Sequence, residues 1–274
     1  MNRIEEKFLN LKKHGEKGLI IYIGAGDPDL DATRKLAIEF GKAGVDILEL
    51  GVPFSDPLAD GIVNQLAAQR GLQSGTTPPA VLATVAEIRK SSQIPIVLYI
   101  YYNLVFRYGL EKFIKDAADA GVDGLLVLDL PPDEAGEYHR LMEKYGLCPI
   151  YLIAPTTPEE RIRFIVSKAK GFIYYVSREG VTGMRSGIPE SLPTMVNLIK
   201  KYTTLPVAVG FGISNPEQAK LVAEYADAVV VGSAVVDKIG KLGKSPEMIQ
   251  TVVNFVKELS SAVREVRTNE NQKR

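Results

Sequence analysis

The sequence predicts a (β/α)8 barrel, and three observations support that prediction. Eight short runs are continuously apolar, as expected of strands that are buried on both faces of a parallel sheet. Each run is followed by a stretch with the apolar spacing of an amphipathic helix. The eight alternations fit within about 250 residues, the usual size of this barrel. A doubly wound open sheet is the alternative, but no linker or composition shift marks a second domain.

The elements follow one another in a regular order along the chain. An additional helix over residues 3–14 comes first and ends near Gly15. Strands are predicted at residues 18–23, 45–48, 95–100, 122–128, 149–153, 171–176, 206–209 and 228–231. Helices are predicted at residues 31–44, 62–74, 78–90, 110–120, 133–145, 158–168, 192–202, 215–225 and 246–266. We therefore expect one catalytic domain over residues 1–267, followed by a frayed polar tail at 268–274.

Three junctions between a helix and the next strand resemble one another. Ala-Gly-Val-Asp ends at Asp46 and again at Asp123, and a looser version ends at Asp227. Glycine in the first two junctions fits the end of a helix that turns into the next strand. The repetition is consistent with an architecture built from repeated half-units.

Composition excludes several classes of function. The 33 basic residues balance the 33 acidic ones, so no global field favours nucleic acid or an anionic membrane. The single Cys148 excludes an internal disulfide and a cysteine-rich metal site, and both histidines fall on or beside predicted helices. No apolar run approaches the roughly 20 residues that span a bilayer, and no signal peptide is apparent. We expect a cytoplasmic protein without a metal site.

The strongest chemical signal lies between Glu49 and Gly61, in the segment Glu-Leu-Gly-Val-Pro-Phe-Ser-Asp-Pro-Leu-Ala-Asp-Gly. The predicted strand delivers Glu49 at its carboxyl end, two prolines force a loop, and Asp60 returns to the same end before a helix. Two carboxylates so placed suit acid/base chemistry. The alternative is that Glu49 is ion-paired and that Asp60 caps the helix. No lysine appears at a strand end, which argues against a Schiff-base aldolase.

The last two strand ends predict an anion site. Gly210-Phe-Gly212 follows the seventh strand, and Gly232-Ser233 opens a short helix after the eighth. Glycine-bearing loops at these two positions, with a helix N-terminus, suit a phosphate. Ordinary use of glycine in turns is the alternative. The loop Gly180–Gly183 after the sixth strand would add a third side to the site and close over it.

Taken together, these segments resemble the tryptophan synthase alpha chain family. The segment from Glu49 to Gly61 is similar to the family's signature, and it is highly specific. Further blocks match in the same order: Ala25–Pro28, Tyr101–Asn103, Asp129–Pro131, Ser177–Gly183 and Gly210–Ser214. The match covers nearly the whole chain.

The resemblance implies cleavage of indole-3-glycerol phosphate to indole and glyceraldehyde 3-phosphate, a retro-aldol reaction without a metal or organic cofactor in this chain. It implies that Glu49 is the general acid/base, that Asp60 binds the indole N–H and that Tyr174 orients the glutamate. The implied phosphate and substrate residues are Thr182, Gly183, Gly212, Gly232 and Ser233, with Tyr22 and Phe211 enclosing the indole. Glu49 is expected to be the more buried carboxyl and to have the higher pKa.

The resemblance also implies a partner, the beta chain that carries pyridoxal phosphate, in an alpha-beta-beta-alpha heterotetramer. Pro53, Asp56 and Asn103 are expected to face that partner. The sequence departs from the family pattern at Gly24, where threonine is common, and at Ile62, where proline is usual. Without that proline the start of the helix is expected to be less rigid.

Other functions remain open at this point. A stand-alone lyase that releases indole would share every catalytic residue. An inactive barrel that regulates the beta chain is a second alternative, although both carboxylates are retained. Another phosphate-binding barrel, such as an isomerase, would be expected to place a different acid/base set at its strand ends.

Overall fold

The computed structural model describes residues 1–177, 191–210 and 212–267, and these residues form a closed parallel barrel. Its strands are β1 Gly18–Gly24, β2 Ile47–Gly51, β3 Ile96–Ile100, β4 Gly124–Val127, β5 Cys148–Pro149, β6 Tyr151–Ile153, β7 Ile173–Val176, β8 Val207–Gly210 and β9 Ala228–Val231. They pair in the order β5-β4-β3-β2-β1-β9-β8-β7-β6. Because β5 and β6 are the two parts of one strand interrupted at Ile150, the order closes into a ring. The predicted (β/α)8 barrel is confirmed.

Twelve helices lie within the described residues. They are α1 Arg3–His14, α2 Leu30–Lys42, α3 Ile62–Gln73, α4 Pro78–Arg89, α5 Tyr102–Tyr108, α6 Leu110–Ala120, α7 Gly136–Lys144, α8 Glu159–Lys168, α9 Ser191–Lys200, α10 Pro216–Ala223, α11 Ser233–Leu242 and α12 Met248–Arg264. Most of the apolar core lies between these helices and the outer face of the barrel.

The additional helix α1 closes the amino-terminal opening of the barrel. Asn2 and Glu5 form a capping box at its start, and Gly15 ends it with a φ of 64°. Its apolar stripe, Ile4, Phe8 and Leu11, joins the side chains of the barrel interior. The predicted helix over residues 3–14 is therefore confirmed, and it seals the interior at the end opposite the predicted site.

The repeated aspartates hold neighbouring strands at this amino-terminal end. The Oδ2 atom of Asp46 accepts a hydrogen bond from the backbone N–H of Leu19 at 2.8 Å. Asp123 accepts in the same way from Ile96 at 2.8 Å, and Asp227 from Val207 at 2.9 Å. Each aspartate therefore binds the N–H of the strand that precedes it in the sequence and lies beside it in the sheet.

Every one of these aspartates is also ion-paired. Each oxygen of Asp46 accepts a bond from Arg264, at 2.7 and 2.8 Å. Asp123 pairs with Arg3 and Arg89, each at 2.8 Å, and Asp227 pairs with Lys200 at 2.8 Å. The shared sequence of the junctions therefore serves the structure of the barrel.

Some element boundaries differ from the prediction. Strand β2 runs to Gly51, so Glu49 lies inside the strand and not at its carboxyl end. The predicted fifth strand is interrupted at Ile150, and helix α5 was not predicted. Helix α7 begins at Gly136, three residues late, because a turn follows Pro131. The connection 178–190 and the predicted tail 268–274 lie outside the described residues.

Candidate active site

Glu49 is a buried carboxyl that has no partner among the described residues. It pairs in register with Tyr22 on one side and Val97 on the other, and it lies on the same face of β2 as Ile47, which belongs to the barrel interior. Its side chain is 1% exposed, and neither carboxyl oxygen meets a hydrogen-bond donor in the described part of the chain. Burial raises the pKa of Glu49 from its ordinary value of 4.5 to about 8.

This environment decides the protonation of Glu49. A carboxyl with a pKa of about 8 is mostly protonated at neutral pH, so it can donate a proton and then accept one. None of the described basic residues forms an ion pair with Glu49, so the described part of the chain gives no support to the alternative of an ion-paired Glu49. The expectation that Glu49 is the more buried carboxyl is confirmed, because Asp60 is partly exposed.

Asp60 is held by two tyrosine hydroxyls at the end of the loop between β2 and α3. Tyr99 donates to Oδ1 and Tyr101 donates to Oδ2, each at 2.8 Å. The Tyr101 oxygen also accepts the backbone N–H of Ala59 at 2.9 Å. Helix α3 is capped by Gly61 without a side-chain hydrogen bond, so the alternative that Asp60 caps this helix is wrong.

Two strand glycines make room for tyrosine rings beside Glu49. A Cβ atom on Gly51 would lie 2.4 Å from the Tyr22 hydroxyl, and one on Gly210 would lie 2.5 Å from the Tyr174 hydroxyl. Burial, and then the charge of nearby Glu49, raises the pKa of Tyr174. Tyr174 is thus close to Glu49 but makes no hydrogen bond to it, so its orienting role stays a prediction.

Asp27, another carboxylate near a strand end, belongs to the framework. Arg70 of α3 donates to both of its oxygens, at 2.7 and 2.8 Å, and the Asp27 side chain is 1% exposed. This pair joins the loop after β1 to α3. Asp27 is therefore engaged by a fixed cation and is not an acid/base candidate.

Three residues of the predicted phosphate site lie on adjacent strand ends. In register, Gly210 of β8 pairs with Val230 of β9, and Gly212 and Gly232 each come two residues later. Ser233 opens α11, where the Gly232 carbonyl accepts the N–H groups of Val235 and Val236. Among the described backbone carbonyls, none accepts the N–H groups of the first two helical residues. Those groups are the donors that a phosphate uses.

The remaining predicted substrate residues, Phe211, Thr182 and Gly183, lie outside the described residues. Tyr22 is 7% exposed and forms part of a small pocket with Asp60, Tyr99 and Tyr101. Three tyrosines therefore contribute to the lining of the described part of the predicted indole site, together with Phe54 and smaller apolar residues.

The residues predicted to face a partner differ in exposure. Asp56 and Asn103 are exposed, whereas Pro53 is buried and packs against Gly71 of α3. Large apolar side chains are exposed beside them: Leu58 is 92% exposed, Ile62 74% and Phe106 67%. The sequence had drawn attention to Ile62 only as a departure from the family pattern, and to Leu58 and Phe106 not at all. An apolar residue inside a proline-rich loop was the only signal for Leu58.

Tyr99 is a residue of the site that the sequence analysis did not single out. Its signal was weak: Val97, Tyr99 and Tyr101 alternate along an apolar strand, and two of the three carry a hydroxyl. The structure brings both hydroxyls to Asp60.

Together, the fold and the site define a class of protein: a barrel enzyme whose interior holds a buried carboxyl with a raised pKa, with a helix N-terminus suited to an anion beyond the strand ends. A sequence model of the tryptophan synthase alpha chain matches residues 8–264. The chain belongs to the tryptophan synthase alpha chain family.

Individual relatives agree with the family match. The tryptophan synthase alpha chain of Geotalea daltonii is 53% identical over 86% of this chain and 89% of its own length. The crystal structure of the alpha chain from Legionella pneumophila has a TM-score of 0.89 at 38% identity, covering 97% of this chain and 98% of that one. A chain of Mycobacterium tuberculosis tryptophan synthase has a TM-score of 0.87 at 35% identity, covering 96% and 98%.

Family membership fixes the activity. The chain is a carbon–carbon lyase of tryptophan biosynthesis that cleaves indole-3-glycerol phosphate to indole and glyceraldehyde 3-phosphate. It works with the beta chain, which carries the pyridoxal phosphate of tryptophan synthase. Within the described ranges, no helix combines the length and apolar character needed to cross a bilayer, and no cluster of three metal-ligating side chains occurs.

Proposed function

We propose that Glu49 and Asp60 divide the chemistry of this cleavage, within a single catalytic unit formed by residues 1–267. The observation that carries the proposal is their contrast in environment. Glu49 is buried with a pKa of about 8, whereas Asp60 is partly exposed and accepts a hydrogen bond on each oxygen. One group can exchange a proton near neutral pH, and the other is solvated by fixed donors.

The reaction needs two proton transfers and one charge stabilisation. Protonated Glu49 gives its proton to C3 of the indole, which places positive charge on the ring nitrogen. The resulting carboxylate takes the proton from the hydroxyl on the carbon attached to C3. That hydroxyl carbon becomes the aldehyde of glyceraldehyde 3-phosphate as the C–C bond breaks, and its bonding electrons restore the neutral indole. Glu49 ends protonated, as it began.

Asp60 stabilises the intermediate charge in this scheme. Its carboxylate accepts the indole N–H, and the interaction strengthens as the nitrogen becomes positive. The phosphate would bind the N-terminus of α11 at Gly232 and Ser233, beside Gly212. Tyr22 would contact the indole from the β1 side of the pocket, and Tyr174 would limit the positions open to the Glu49 carboxyl.

We further propose that the beta chain docks on the loop after β2 together with α5. Exposed Asp56 and Asn103 lie in these two segments, and so do Leu58 and Phe106, the apolar side chains that such an interface would cover. Tyr101 joins the segments, because it is the N-cap residue just before α5 and its hydroxyl bonds the loop. The alpha-beta-beta-alpha arrangement and a cytoplasmic location follow from the family's place in tryptophan biosynthesis and remain predictions.

Indole release from indole-3-glycerol phosphate tests the assignment. The wild-type chain, Glu49→Gln and Asp60→Asn are assayed with and without a beta chain, and Asp27→Asn serves as a carboxylate control outside the proposed chemistry. We expect Glu49→Gln to lower kcat about 1,000-fold or more in both conditions, since it removes the only proton carrier of the scheme. Asp60→Asn should lower kcat by a smaller factor.

Three outcomes separate the possible functions. Slow turnover that the beta chain accelerates supports an alpha chain that depends on its partner. Fast turnover without the partner would indicate an autonomous lyase, which the two hydrogen bonds that already hold Asp60 would favour. Glu49→Gln with more than a tenth of wild-type turnover would overturn the role given to Glu49.

A further inference from the structure

The loop that carries Asp60 is anchored at its start, where Phe54 packs on the Tyr101 ring, but its later part has few packing contacts. Leu58 is 92% exposed and Ile62 is 74% exposed, and the first turn of α3 has no side-chain cap. Proline, whose ring would stiffen the start of the helix, is absent at position 62. Gln65 bonds the Asp60 backbone carbonyl at 2.8 Å and leaves the carboxylate to other donors. The position of the Asp60 carboxylate therefore depends on the side chains that bond it from the barrel.

Two hydroxyls bond it, and they come from different depths. Tyr101 lies just beyond the end of β3 and also accepts the N–H of Ala59, so it bonds the loop backbone as well as the carboxylate. Tyr99 lies inside β3, on the same face as Val97, which pairs in register with Glu49. Within the described residues, Tyr99 makes one hydrogen bond to the loop, and it goes to the side chain of Asp60.

Tyr99 also contacts the wall of the substrate pocket. Its ring meets Tyr22 edge-on, with centroids 5.0 Å apart and planes at 67°. Burial, and then the charge of Asp60, raises the pKa of Tyr99 well above its usual range. Tyr99 therefore stays an O–H donor at every pH at which the protein functions.

The two hydrogen bonds leave Asp60 able to bind a further donor. An ionised carboxylate has about four acceptor positions, two on each oxygen. Each tyrosine occupies one position, on a different oxygen, which fixes the rotation of the carboxylate and leaves one position free on each side. A fixed acceptor binds a donor at lower entropic cost than a mobile one.

We infer that Tyr99 is a positioning residue that aims the free acceptor positions of Asp60 at the N–H of the indole ring. The inference rests on the proposed role of Asp60. It adds a specificity device that is built into the strand and does not require the partner chain.

A pair of non-cleavable ligands tests the inference. One is indole carrying a propyl phosphate chain at C3, and the other is its benzothiophene counterpart, in which sulfur replaces the N–H. Dissociation constants are measured by calorimetry with the isolated chain, and the ratio of the two constants reports the hydrogen bond to the ring N–H alone. We expect the wild-type chain to prefer the indole ligand about tenfold or more, as a hydrogen bond to a charged group should.

Four variants show which side chains determine the ratio of the two dissociation constants. In Tyr99→Phe, which retains the ring, the ratio should fall to about threefold or less while the affinity for the benzothiophene ligand changes less than about twofold. Asp60→Ala should show no preference. Tyr108→Phe removes a similar 2.8 Å bond, to Asp116, away from the site and should keep the wild-type ratio. Tyr101→Phe measures the contribution of the outer hydroxyl.

The outcomes distinguish a failure of the role inferred for Tyr99 from a failure of the role proposed for Asp60. A wild-type ratio in Tyr99→Phe would overturn the inference, as would an equal loss of affinity for both ligands, which would show a packing role only. No preference in the wild-type chain would instead overturn the proposed role of Asp60. Turnover gives an independent readout: Tyr99→Phe should lower kcat about tenfold and change KM less than about threefold, because the nitrogen charge is largest in the transition state.

Discussion

The two ends of the barrel use carboxylates in opposite ways. At the amino-terminal end, Asp46, Asp123 and Asp227 each accept a backbone N–H and pair with a basic side chain. Towards the carboxyl end, Glu49 is buried without a described partner, and among the described side chains only two neutral hydroxyls bond the Asp60 carboxylate. The charges of the first set are neutralised by basic side chains and hold neighbouring strands together. The second set keeps its charge and protons available for a substrate, at a cost in stability.

The amino-terminal end should give the largest loss of stability. Asp123→Ala would leave Arg89, whose side chain is 11% exposed, without its counter-charge, and would free the N–H of Ile96. We expect the free energy of unfolding to fall by about 3–5 kcal/mol, measured by urea denaturation. Asp119→Ala, which breaks an exposed pair with Lys115, is the control and should cost less than about 0.5 kcal/mol. A loss below about 1 kcal/mol for Asp123→Ala would contradict the comparison.

At the other end of the barrel, replacing the carboxyl of Glu49 should raise the free energy of unfolding at neutral pH, where replacing Asp123 lowers it. Folded Glu49 keeps its proton up to a pH of about 8, whereas in the unfolded chain it releases the proton near 4.5. The wild-type chain therefore loses stability as the pH rises through this window, at up to about 1.4 kcal/mol per pH unit. Glu49→Gln does not titrate, so its stability relative to the wild type should increase from pH 5 to pH 8. A difference in unfolding free energy that is constant across this range would refute the prediction.

The proton of Glu49 should also determine how the activity depends on pH. The protonated form of Glu49 starts the reaction, and it is lost above a pH of about 8. We expect kcat/KM for indole release to be level between pH 7 and 7.5 and to fall about tenfold per pH unit well above 8. Tyr108→Phe should have the same profile as the wild type. A profile that stays level to pH 9.5 would argue against Glu49 as the proton donor.

The smallest effect on stability is expected on the exposed surface. Leu58→Ser and Phe106→Ser remove side chains that are 92% and 67% exposed, so the isolated chain should change by less than about 0.5 kcal/mol. Affinity for the beta chain, measured by titration calorimetry, should nevertheless fall about tenfold. Leu9→Ser changes a 54% exposed residue of α1, at the opposite end of the barrel, and should leave partner binding unaltered. Equal effects of Leu9→Ser and Leu58→Ser would place the interface elsewhere.

Much of the framework could be predicted from the sequence because it follows from local patterns. Continuous apolar runs identified the strands, and the segment from Glu49 to Asp60 pointed to the two carboxylates. Helix α5 was missed because its seven residues are too few to establish a helical period. The boundary of β2 was misplaced because Glu49 is a charged residue inside a buried strand, which a hydrophobicity pattern reads as the end of the strand.

The details of the site depended on folding. Whether Asp60 caps α3 or turns towards β3 is decided by where the loop lies, and no pattern in the loop indicates it. Tyr99 looked like one more apolar strand residue because its hydroxyl finds its partner 39 positions away in the sequence. That Glu49 has no partner among the described residues could be suspected from its apolar neighbours, but showing it required the positions of the described basic side chains.

The aspartate contacts at the amino-terminal end also bear on how the barrel assembles. The bonds from strand N–H groups to Asp46, Asp123 and Asp227 join residues 27, 27 and 20 positions apart. By contrast, the ion pair of Asp46 with Arg264 spans 218 positions and the bond from Lys17 to the Ala226 carbonyl spans 209. Closing a short loop costs less entropy than closing a long one, so each half-unit can set the register of its own strand pair before the ring is complete. We expect the φ-value for Asp227, whose partners Val207 and Lys200 both lie within 27 positions, to exceed that for Lys17, with the pairing of β1 and β9 forming last.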